Sequence, residues 1–534
     1  MKSHNCGISR KHPARSIVAF AVQLAVVASA CPSLARPVPQ TGCQKRKNLD
    51  PKVDAAVEQF RSSVPAIVKK GKVPGAAIAL VDEQGIIWAE GFGHTDRKRR
   101  TRVTPDTPFL INGMSKTLTA TAVLLAVQDG LVELDEPITT YLPDFKVYSR
   151  YEEHPEDKIT LRRLLSYTAG LAVEAPLGNS FEPSPTVSFE DHVKSIGGGW
   201  LICPVGSNYY YGNVSSDLAA YAIQVVSGKP FEEYVNQRLF GPLGMSNSTA
   251  DREQILARRD RATGSMMAMS AVPAVYPALA AGCMYSSARD LARFIQLHIN
   301  NGSLDGKRIL NESLIDAMYT PKGIIAQPDV YYGLGIIIDK RSPERIELIF
   351  HYNGSGFGFL SFMHWYPEYG IGCVVLTNRL PHPVLGELAL TLTDKLVKGK
   401  ILEKRFPQPT PDPNECVGTW QGWSDHSPTA YKPQWSKYCG THRLRFTEYK
   451  LEWWAHLAVL ILGRDKYTPQ IKVHEKDGFL SLTESRFFDQ VGLPRHVDER
   501  LQELKPGLFS TRSGISLDFT REVPTWRNYR LTRR

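Results

Sequence analysis

Apolar residues repeat along the first three quarters of the chain at the spacings of helices and strands. Within residues 109–129, Leu118 and Leu125 follow helical spacing, so we predict an amphipathic helix that opens near Gly113. Lys116 lies in the first turn of this helix, where the positive end of the helix dipole disfavours a cation. This local conflict indicates a functional site at the start of the helix.

The remaining periodicity predicts a mixture of helices and antiparallel strands. Residues 172–200 have little periodicity and much Pro, Gly and Ser, which predicts a long loop over a cleft. Strands 75–81 and 86–91 flank a short acidic turn and form a predicted hairpin. Further helices are predicted at 54–70, 160–170, 217–228, 230–239, 288–298 and 384–397, and further strands at 333–338, 347–351, 359–365 and 370–377.

A chain of 534 residues is too long for one ordinary domain. The Pro-rich segment 407–413 (PQPTPDP) marks our predicted boundary. Beyond it, strand-like runs separated by turns predict a small antiparallel barrel or sandwich; the runs are 416–420, 442–446, 451–454, 478–483 and 514–519. The predicted segments are a signal peptide 1–35, a linker 36–50, a main domain 51–406, a linker 407–413 and a C-terminal β domain 414–534.

The N-terminus has the order of features typical of a secretory signal. A basic start precedes an apolar run at 17–27 and then small residues, so we predict cleavage after Ala30 or Ala35. The apolar run is too short to span a bilayer, and no other stretch is long and apolar enough to do so. We therefore predict a secreted, periplasmic or extracellular protein without a stable membrane span, with an uncleaved membrane anchor as the alternative.

Charge and cysteine content exclude several classes of function. The net charge is +10, and four of the positive residues precede residue 36, where there is no acidic residue. The rest of the chain is too weakly basic to indicate nucleic-acid binding. The eight cysteines form no C-x-x-C pair, so we predict no zinc site, and nothing indicates another metal or an organic cofactor. Export permits disulfides, and we favour Cys416–Cys439 because both cysteines lie at the start of the last domain.

About seven short motifs, in order over residues 51–400, resemble the serine β-lactamase-like, penicillin-binding family. The likeness is to its branch of class C β-lactamases, D-alanyl-D-alanine carboxypeptidases and esterases. The motifs are PGAA at 74–77, TPDTPF at 104–109, LLSYTAGL at 164–171, PVG at 204–206 with YGN at 211–213, LFGPLGMSNST at 239–249, AGCMYSSARDLARF at 281–294, and GSGFGF at 354–359 with PEYGIG at 367–372 and LTN at 376–378.

The resemblance implies an α+β fold and acyl-transfer chemistry. The fold would be an antiparallel sheet flanked by helices, followed by the lipocalin-like β domain often appended in this family. A serine at a helix N-terminus attacks the acyl carbonyl, and a lysine one turn later takes its proton. Lys116 matches this lysine. Tyr211 matches the tyrosine that relays the proton, and Asn213 matches the asparagine that holds the substrate amide.

The position of the nucleophile departs from the family pattern. Gly113 stands three residues before Lys116, where the serine is expected, and it has no hydroxyl group. Ser115 is adjacent to the lysine, but neighbouring helical residues point about 100° apart. Ser115 would therefore need a distorted first turn to act as nucleophile.

The third family motif, Lys/His-x-Gly, is also altered and allows two alignments. Counting back from the Gly-rich segment places Tyr352 and Gly354 in the motif, and counting from the histidine places His351 there. We favour the first alignment because it keeps the glycine, which allows close approach of a substrate. Tyr352 would then face the substrate, and His351 would point to the other side of the strand.

Three functional hypotheses follow from these residues. The first is a catalytically impaired family member, a pseudoenzyme that binds a small-molecule or peptide-like acyl ligand. The second is an active hydrolase or acyltransferase that uses Lys116 and Tyr211 by an altered route. The third is an interaction protein that acts through the C-terminal β domain. Gly113 favours the first, and the retention of Lys116, Tyr211 and Asn213 keeps the second open. The sequence does not specify the oligomeric state.

Overall fold

The structure is a computed structural model, and it describes most of the chain between residues 43 and 405. The described residues are 43–98, 100–149, 151–178, 187–266, 272–324, 330–339, 348–405, 440–444, 470–476, 479–484, 499–505, 508–510, 516–518, 525–526 and 529–533. The predicted signal peptide, the 407–413 linker, the strand-like runs at 416–420 and 451–454, and the predicted Cys416–Cys439 disulfide lie outside them.

Helices and strands alternate irregularly through residues 43–405. The strands are β1 Cys43–Lys45, β2 Gly75–Asp82, β3 Gly85–Gly93, β4 Phe109–Leu110, β5 Tyr285–Ser286, β6 Ser303–Leu304, β7 Lys307–Arg308, β8 Gly323–Ile324, β9 Val330–Tyr332, β10 Ile337–Asp339, β11 Ile349–Gly356, β12 Phe359–Tyr366 and β13 Ile371–Thr377. The α-helices are α1 Pro51–Lys70, α2 Ser115–Gln128, α3 Leu161–Leu165, α4 Phe189–Ser195, α5 Asn213–Ser227, α6 Phe231–Val235, α7 Gly241–Leu243, α8 Arg252–Ala257, α9 Leu279–Gly282, α10 Ala288–Ile299, α11 Glu312–Tyr319 and α12 Leu385–Lys398.

A nine-stranded antiparallel sheet, in the order β1-β3-β2-β13-β12-β11-β10-β9-β8, forms the centre of this region. Strand β2 shows why the sheet is buried on both faces, because its side chains alternate between two cores. Ile78 and Leu80 pack with residues of α1 and α12, whereas Ala77 and Ala79 pack with residues of α2 and α10. The predicted α+β fold with an antiparallel sheet flanked by helices is confirmed.

Helix α2 is not amphipathic, contrary to our prediction. Every residue from Ser115 to Ala126 is buried, including Lys116 and four threonine or serine side chains. The polar side chains are satisfied internally: the Thr117 hydroxyl donates to the Gly335 carbonyl and the Thr119 hydroxyl to the Ala280 carbonyl. A helix surrounded by protein on all sides needs no polar face.

Three segments differ from the sequence-based boundaries. Residues 172–200 are not one long loop, because α4 lies within them and Ser188 caps it by accepting from the Asp191 N–H. Only residues 337–338 of the predicted strand 333–338 are in a strand, β10, and β9 ends before that range at Tyr332. Strand β1, within the segment 36–50 that we predicted as a linker, pairs with β3.

The described C-terminal residues form a second nine-stranded antiparallel sheet. Its strands are β14 Gly440–Leu444, β15 Gln470–Lys476, β16 Phe479–Glu484, β17 Glu499–Arg500, β18 Gln502–Lys505, β19 Leu508–Ser510, β20 Ser516–Asp518, β21 Thr525–Trp526 and β22 Tyr529–Arg533. They are ordered β17-β16-β15-β14-β22-β21-β20-β19-β18. The lipocalin-like character of this region stays a prediction. Among the described residues, no helix combines the length and apolar character needed to cross a membrane.

Candidate active-site cleft

The start of α2 is fixed between two strands. Before the helix, β4 pairs with β5, and the Ile111 N–H donates to the Met284 carbonyl at 3.0 Å. A 3-10 turn, Asn112–Met114, then leads into α2. Asn112 takes a positive φ of 46°, and its Nδ2 donates to the Gly356 carbonyl of β11 at 3.1 Å. The turn that carries Gly113 is therefore tied to the end of β11.

Lys116 is a buried cation with two strong acceptors. Its side chain is nearly inaccessible, and Nζ donates to Asn213 Oδ1 at 2.7 Å and to the Ala281 carbonyl at 2.6 Å. Nζ also lies 5.2 Å from the centroid of the Tyr211 ring, within the range of a cation–π contact. These partners offset the unfavourable position of a cation at the helix N-terminus.

Tyr211 and Asn213 both contact Lys116, and their roles in proton relay and substrate binding stay predictions. Asn213 is the first residue of α5, and its Nδ2 donates to Glu174 Oε1 at 2.6 Å. The Tyr211 hydroxyl donates to Asn213 Oδ1 at 3.4 Å. Tyr211 is 40% exposed, so solvent reaches the group of Lys116, Asn213 and Tyr211 at this side chain.

Gly113 lies against β11 with little room for a side chain. A Cβ atom built on it would stand 2.8 Å from the Asn353 carbonyl oxygen and 3.3 Å from Tyr352 Cε1. Ser115 does not replace the missing hydroxyl, because it is completely buried and its Oγ accepts from the Met284 N–H at 3.3 Å.

Strand β11 presents Tyr352 and Gly354 on the side of Gly113. Tyr352 is buried, and its hydroxyl accepts from Tyr332 at 3.2 Å. A Cβ on Gly354 would stand 2.0 Å from the Ile111 carbonyl oxygen, so the glycine permits close approach of the turn before α2. His351 is on the other side of the strand, where it stacks on Phe362.

Opposing effects act on the pKa of Lys116. Burial acts to lower it, but the negative charges that Tyr211 and Tyr167 carry when ionised, together with the Asp217 carboxylate, outweigh burial, and the pKa is raised. Burial also raises the pKa of Tyr352 well above its ordinary value. The raised pKa favours the ammonium form of Lys116, which donates hydrogen bonds but does not accept a proton.

Comparison with known proteins agrees with this geometry. The family model described as β-lactamase matches residues 53–397, which include the whole first sheet except β1 and all the site residues described above. The chain belongs to the β-lactamase family.

Individual proteins resemble this chain at 20–29% sequence identity. A putative penicillin-binding protein, PbpX of Bacillus subtilis (strain 168), is 29% identical over 266 residues, which are 49% of this chain and 61% of PbpX. The octameric penicillin-binding protein homologue from Pyrococcus abyssi has a TM-score of 0.56 at 20% identity. The match covers 89% of this chain and 99% of the homologue's chain. A β-lactamase/D-alanine carboxypeptidase from Yersinia pestis, complexed with citrate, has a TM-score of 0.54 at 25% identity, over 65% of this chain and 98% of its own.

A group of tyrosines in this β-lactamase-family cleft was not identified from the sequence. Tyr167 is buried at a positive φ of 57°, and its ring centroid lies 5.1 Å from that of Tyr211 and 4.9 Å from that of Tyr332. Tyr209 packs on Tyr167 and Tyr332. The signal was present, because Tyr167 belongs to the LLSYTAGL motif and Tyr209 to a run of three tyrosines.

Sequence reasoning also missed three ionisable residues next to the site. Glu174 binds Asn213, and Asp217 binds the backbone N–H groups of Ala280 and Ala281. His192 lies 3.2 Å from Asp217. Glu174 and His192 lie in the segment that we predicted as one loop, which carried no pattern to mark them. Among the described residues, no group of three or more His, Cys, Asp or Glu is arranged to hold a metal ion.

Proposed function

We propose that this protein is a catalytically impaired member of the β-lactamase family that binds an acyl or peptide-like ligand without forming an acyl-enzyme. One observation carries the proposal: the residue one turn before Lys116 is Gly113, which has no hydroxyl group, and a Cβ built on it would stand 2.8 Å from the Asn353 carbonyl oxygen. Loss of the nucleophile of a serine hydrolase costs on the order of a millionfold in turnover.

The protonation of Lys116 supports the impaired state over an altered catalytic route. A general base must be able to accept a proton near the working pH. Lys116 has a raised pKa and gives hydrogens to Asn213 and Ala281. Direct activation of water by Lys116 would first require loss of its ammonium proton, which the raised pKa opposes.

Ligand binding is supported by the groups that remain. Tyr211 is partly exposed beside Lys116 and Asn213. The backbone N–H of Gly113 needs no side chain, so the anion-binding feature of the family is compatible with glycine. An oxyanion site and binding groups alone retain roughly 10³–10⁴-fold rate enhancement over water in serine hydrolases. We therefore expect slow turnover at most.

Export and a separate C-terminal domain are part of the same proposal. The basic start and apolar run before residue 36 support a signal peptide, and the Pro-rich segment 407–413 supports a boundary before residue 414. If the ligand site lies wholly in residues 51–406, deletion of 414–534 leaves ligand binding unchanged. Loss of binding on this deletion would instead favour an interaction protein that acts through the C-terminal β domain.

The test is covalent labelling with a fluorescent penicillin and turnover of an activated ester. We expect no labelled band from the unmodified protein and ester turnover close to that of Lys116→Ala. Reversible binding of the penicillin is expected, measured by the shift in unfolding temperature, and is expected to weaken in Asn213→Ala. Covalent labelling of the unmodified protein, or ester turnover that Lys116→Ala and Tyr211→Phe abolish, would refute impairment and favour the altered route. Absence of reversible binding would refute the binding function.

A further inference from the structure

A buried histidine–aspartate pair lies behind the Lys116 site. His192 on α4 and Asp217 on α5 have completely buried side chains, and Nε2 of the histidine lies 3.2 Å from Oδ2 of the aspartate. Nδ1 of His192 lies 2.8 Å from the Leu177 carbonyl oxygen. Since a carbonyl oxygen only accepts, Nδ1 carries a hydrogen.

Both carboxyl oxygens of Asp217 have partners: Oδ1 binds two backbone N–H groups, and Oδ2 faces Nε2 of His192. Oδ1 of Asp217 accepts the N–H groups of Ala280 at 2.9 Å and Ala281 at 3.0 Å. Hydrogen bonds of this kind stabilise a carboxylate. With Asp217 ionised, Nε2 of His192 donates to Oδ2 and the ring is an imidazolium. Burial acts to lower the pKa of His192, but the hydrogen bond to Asp217 and its charge outweigh burial, and the pKa is raised.

These contacts continue into the cleft from two directions. The Ala281 carbonyl, next to the N–H that Asp217 binds, accepts from Lys116. Leu177, which binds His192, is three residues after Glu174, and Glu174 accepts from Asn213. Since Lys116 also donates to Asn213, the contacts form a closed ring that joins Lys116 and Asn213 to the His192–Asp217 pair.

We propose that His192 and Asp217 are positioning residues of this ligand site: they fix the Ala281 carbonyl and the Glu174 segment that hold Lys116 and Asn213, and the site loosens when His192 loses its second proton. The inference rests on the proposed function in so far as Lys116 and Asn213 face a ligand. The pair touches no ligand itself.

The charges around the pair make His192 the pH-sensitive member. His192 is acted on by Asp217 from α5 and by Glu174 from the segment before α4. Asp217 in turn acts on Lys116 from α2, and on Tyr276 and Cys283 on either side of α9. Burial raises the pKa of Tyr276 well above its ordinary value and that of Cys283 to about 12, so both stay neutral over the working range. Loss of the histidine proton leaves two carboxylates opposite one ammonium group.

Nitrogen NMR of the full chain, labelled with ¹⁵N-histidine and ¹⁵N-lysine, tests the proposal without any ligand. His192→Gln and Lys116→Met assign the two signals. We expect imidazolium shifts for His192 at pH 7, and slow hydrogen exchange of the Lys116 ammonium that accelerates in a step as His192 titrates at higher pH. His192→Gln should remove the step. Asp217→Asn should accelerate the hydrogen exchange of Lys116 at least tenfold at pH 7. The control is Asp290→Asn, which removes a buried carboxylate on α10 and should not accelerate this exchange.

A neutral His192 ring at pH 7, or Lys116 exchange within twofold of the unmodified protein in Asp217→Asn, would overturn the proposal. If Asp217→Asn does not fold, the pH step in the unmodified protein and its loss in His192→Gln decide the question. A protein that shows these spectra but binds no penicillin would refute the proposed function and leave the positioning ring intact.

Discussion

The glycine at position 113 is required by packing as well as being unable to act as a nucleophile. The Asn353 carbonyl oxygen, 2.8 Å from the position of a Cβ, belongs to a strand paired along its length with β12. Backbone held in this way yields less easily than the end of a flexible side chain. Strand β11 is therefore packed closely against the glycine, and a serine at position 113 needs a shift of β11.

We predict that Gly113→Ala destabilises the protein by about 1–3 kcal/mol, the usual cost of overpacking. Urea unfolding followed by circular dichroism measures the change. Gly386→Ala is the matched control. Gly386 lies in the first turn of α12, and a Cβ built on it has no neighbouring atom within 4 Å. It should be neutral or stabilise slightly. An unchanged unfolding free energy in Gly113→Ala would show that β11 moves away freely.

The same contact predicts the result of restoring the serine. Gly113→Ser should lose a similar amount of stability and should acquire no more than weak labelling by a fluorescent penicillin, because β11 limits the position of the new hydroxyl. Rapid stoichiometric labelling at unchanged stability would mean that the cleft is intact apart from its nucleophile. Gly113→Ala adds the Cβ without the hydroxyl. Comparison of the two variants therefore separates the effect of the hydroxyl on labelling from the effect of the Cβ on stability.

His298 makes the folded protein sensitive to acid. Burial lowers the pKa of His298 to about 3. The ring stacks on Trp365, and its Nδ1 is hydrogen-bonded to the Tyr319 hydroxyl at 2.7 Å. A depressed pKa contributes stability above the unfolded value near 6.5, and this stability is lost as the pH falls towards 3. We predict a loss of roughly 3 kcal/mol from this residue between pH 7.5 and pH 4.5.

Urea unfolding at the two pH values measures this loss, and His298→Gln isolates it because glutamine does not titrate. The variant should be less stable than the unmodified protein at pH 7.5, and the difference should shrink at pH 4.5. Equal pH dependence of the two proteins would contradict the assignment.

At the scale of elements, helix ends differ in how well their first N–H groups are satisfied. Asp50 caps α1 by accepting from the Lys52 and Val53 N–H groups. Asn311 occupies the same position before α11 without a side-chain cap bond. We predict that Asp50→Ala costs about 0.5–2 kcal/mol and that Asn311→Ala costs far less. Thermal unfolding of the two variants side by side checks this, and equal losses would contradict the capping geometry.

Elements whose pattern is local were predictable from the sequence. The β2–β3 hairpin, α1, α10, β12, β13 and α12 follow the predicted ranges within a few residues. Helix α2 was found, but its complete burial was not, because burial on all sides depends on which elements surround it. Helix α4 was missed, because Pro- and Gly-rich flanks obscured a seven-residue helix that depends on its Ser188 cap.

The site residues divide in the same way, into those that a local motif predicts and those that depend on long-range contacts. Lys116, Tyr211 and Asn213 were identified because the motifs preserve their order, and the structure brings them together. Glu174 and the His192–Asp217 pair were not, since their contacts join segments that no local pattern relates.

At the scale of the whole molecule, the two nine-stranded sheets share no strand. All nine strands of the first lie between Cys43 and Thr377, and all nine of the second between Gly440 and Arg533. The core beneath the first sheet includes α12, whose Leu388 and Leu392 are buried with residues of α1. After α12, the guanidinium of Arg405 binds the carboxylate of Glu83, which lies in the turn between β2 and β3.

We therefore predict that a chain ending at Arg405 folds without the C-terminal sheet. Scanning calorimetry should show one cooperative transition, within a few degrees of one of the transitions of the full chain. A chain ending at Asn378 is the control: it keeps all nine strands of the first sheet but loses α12, and the exposed apolar face left on the sheet should prevent cooperative folding. If the chain ending at Arg405 also failed to unfold cooperatively, the C-terminal residues would be needed for the fold of the first domain, and the boundary proposed at 407–413 would be wrong.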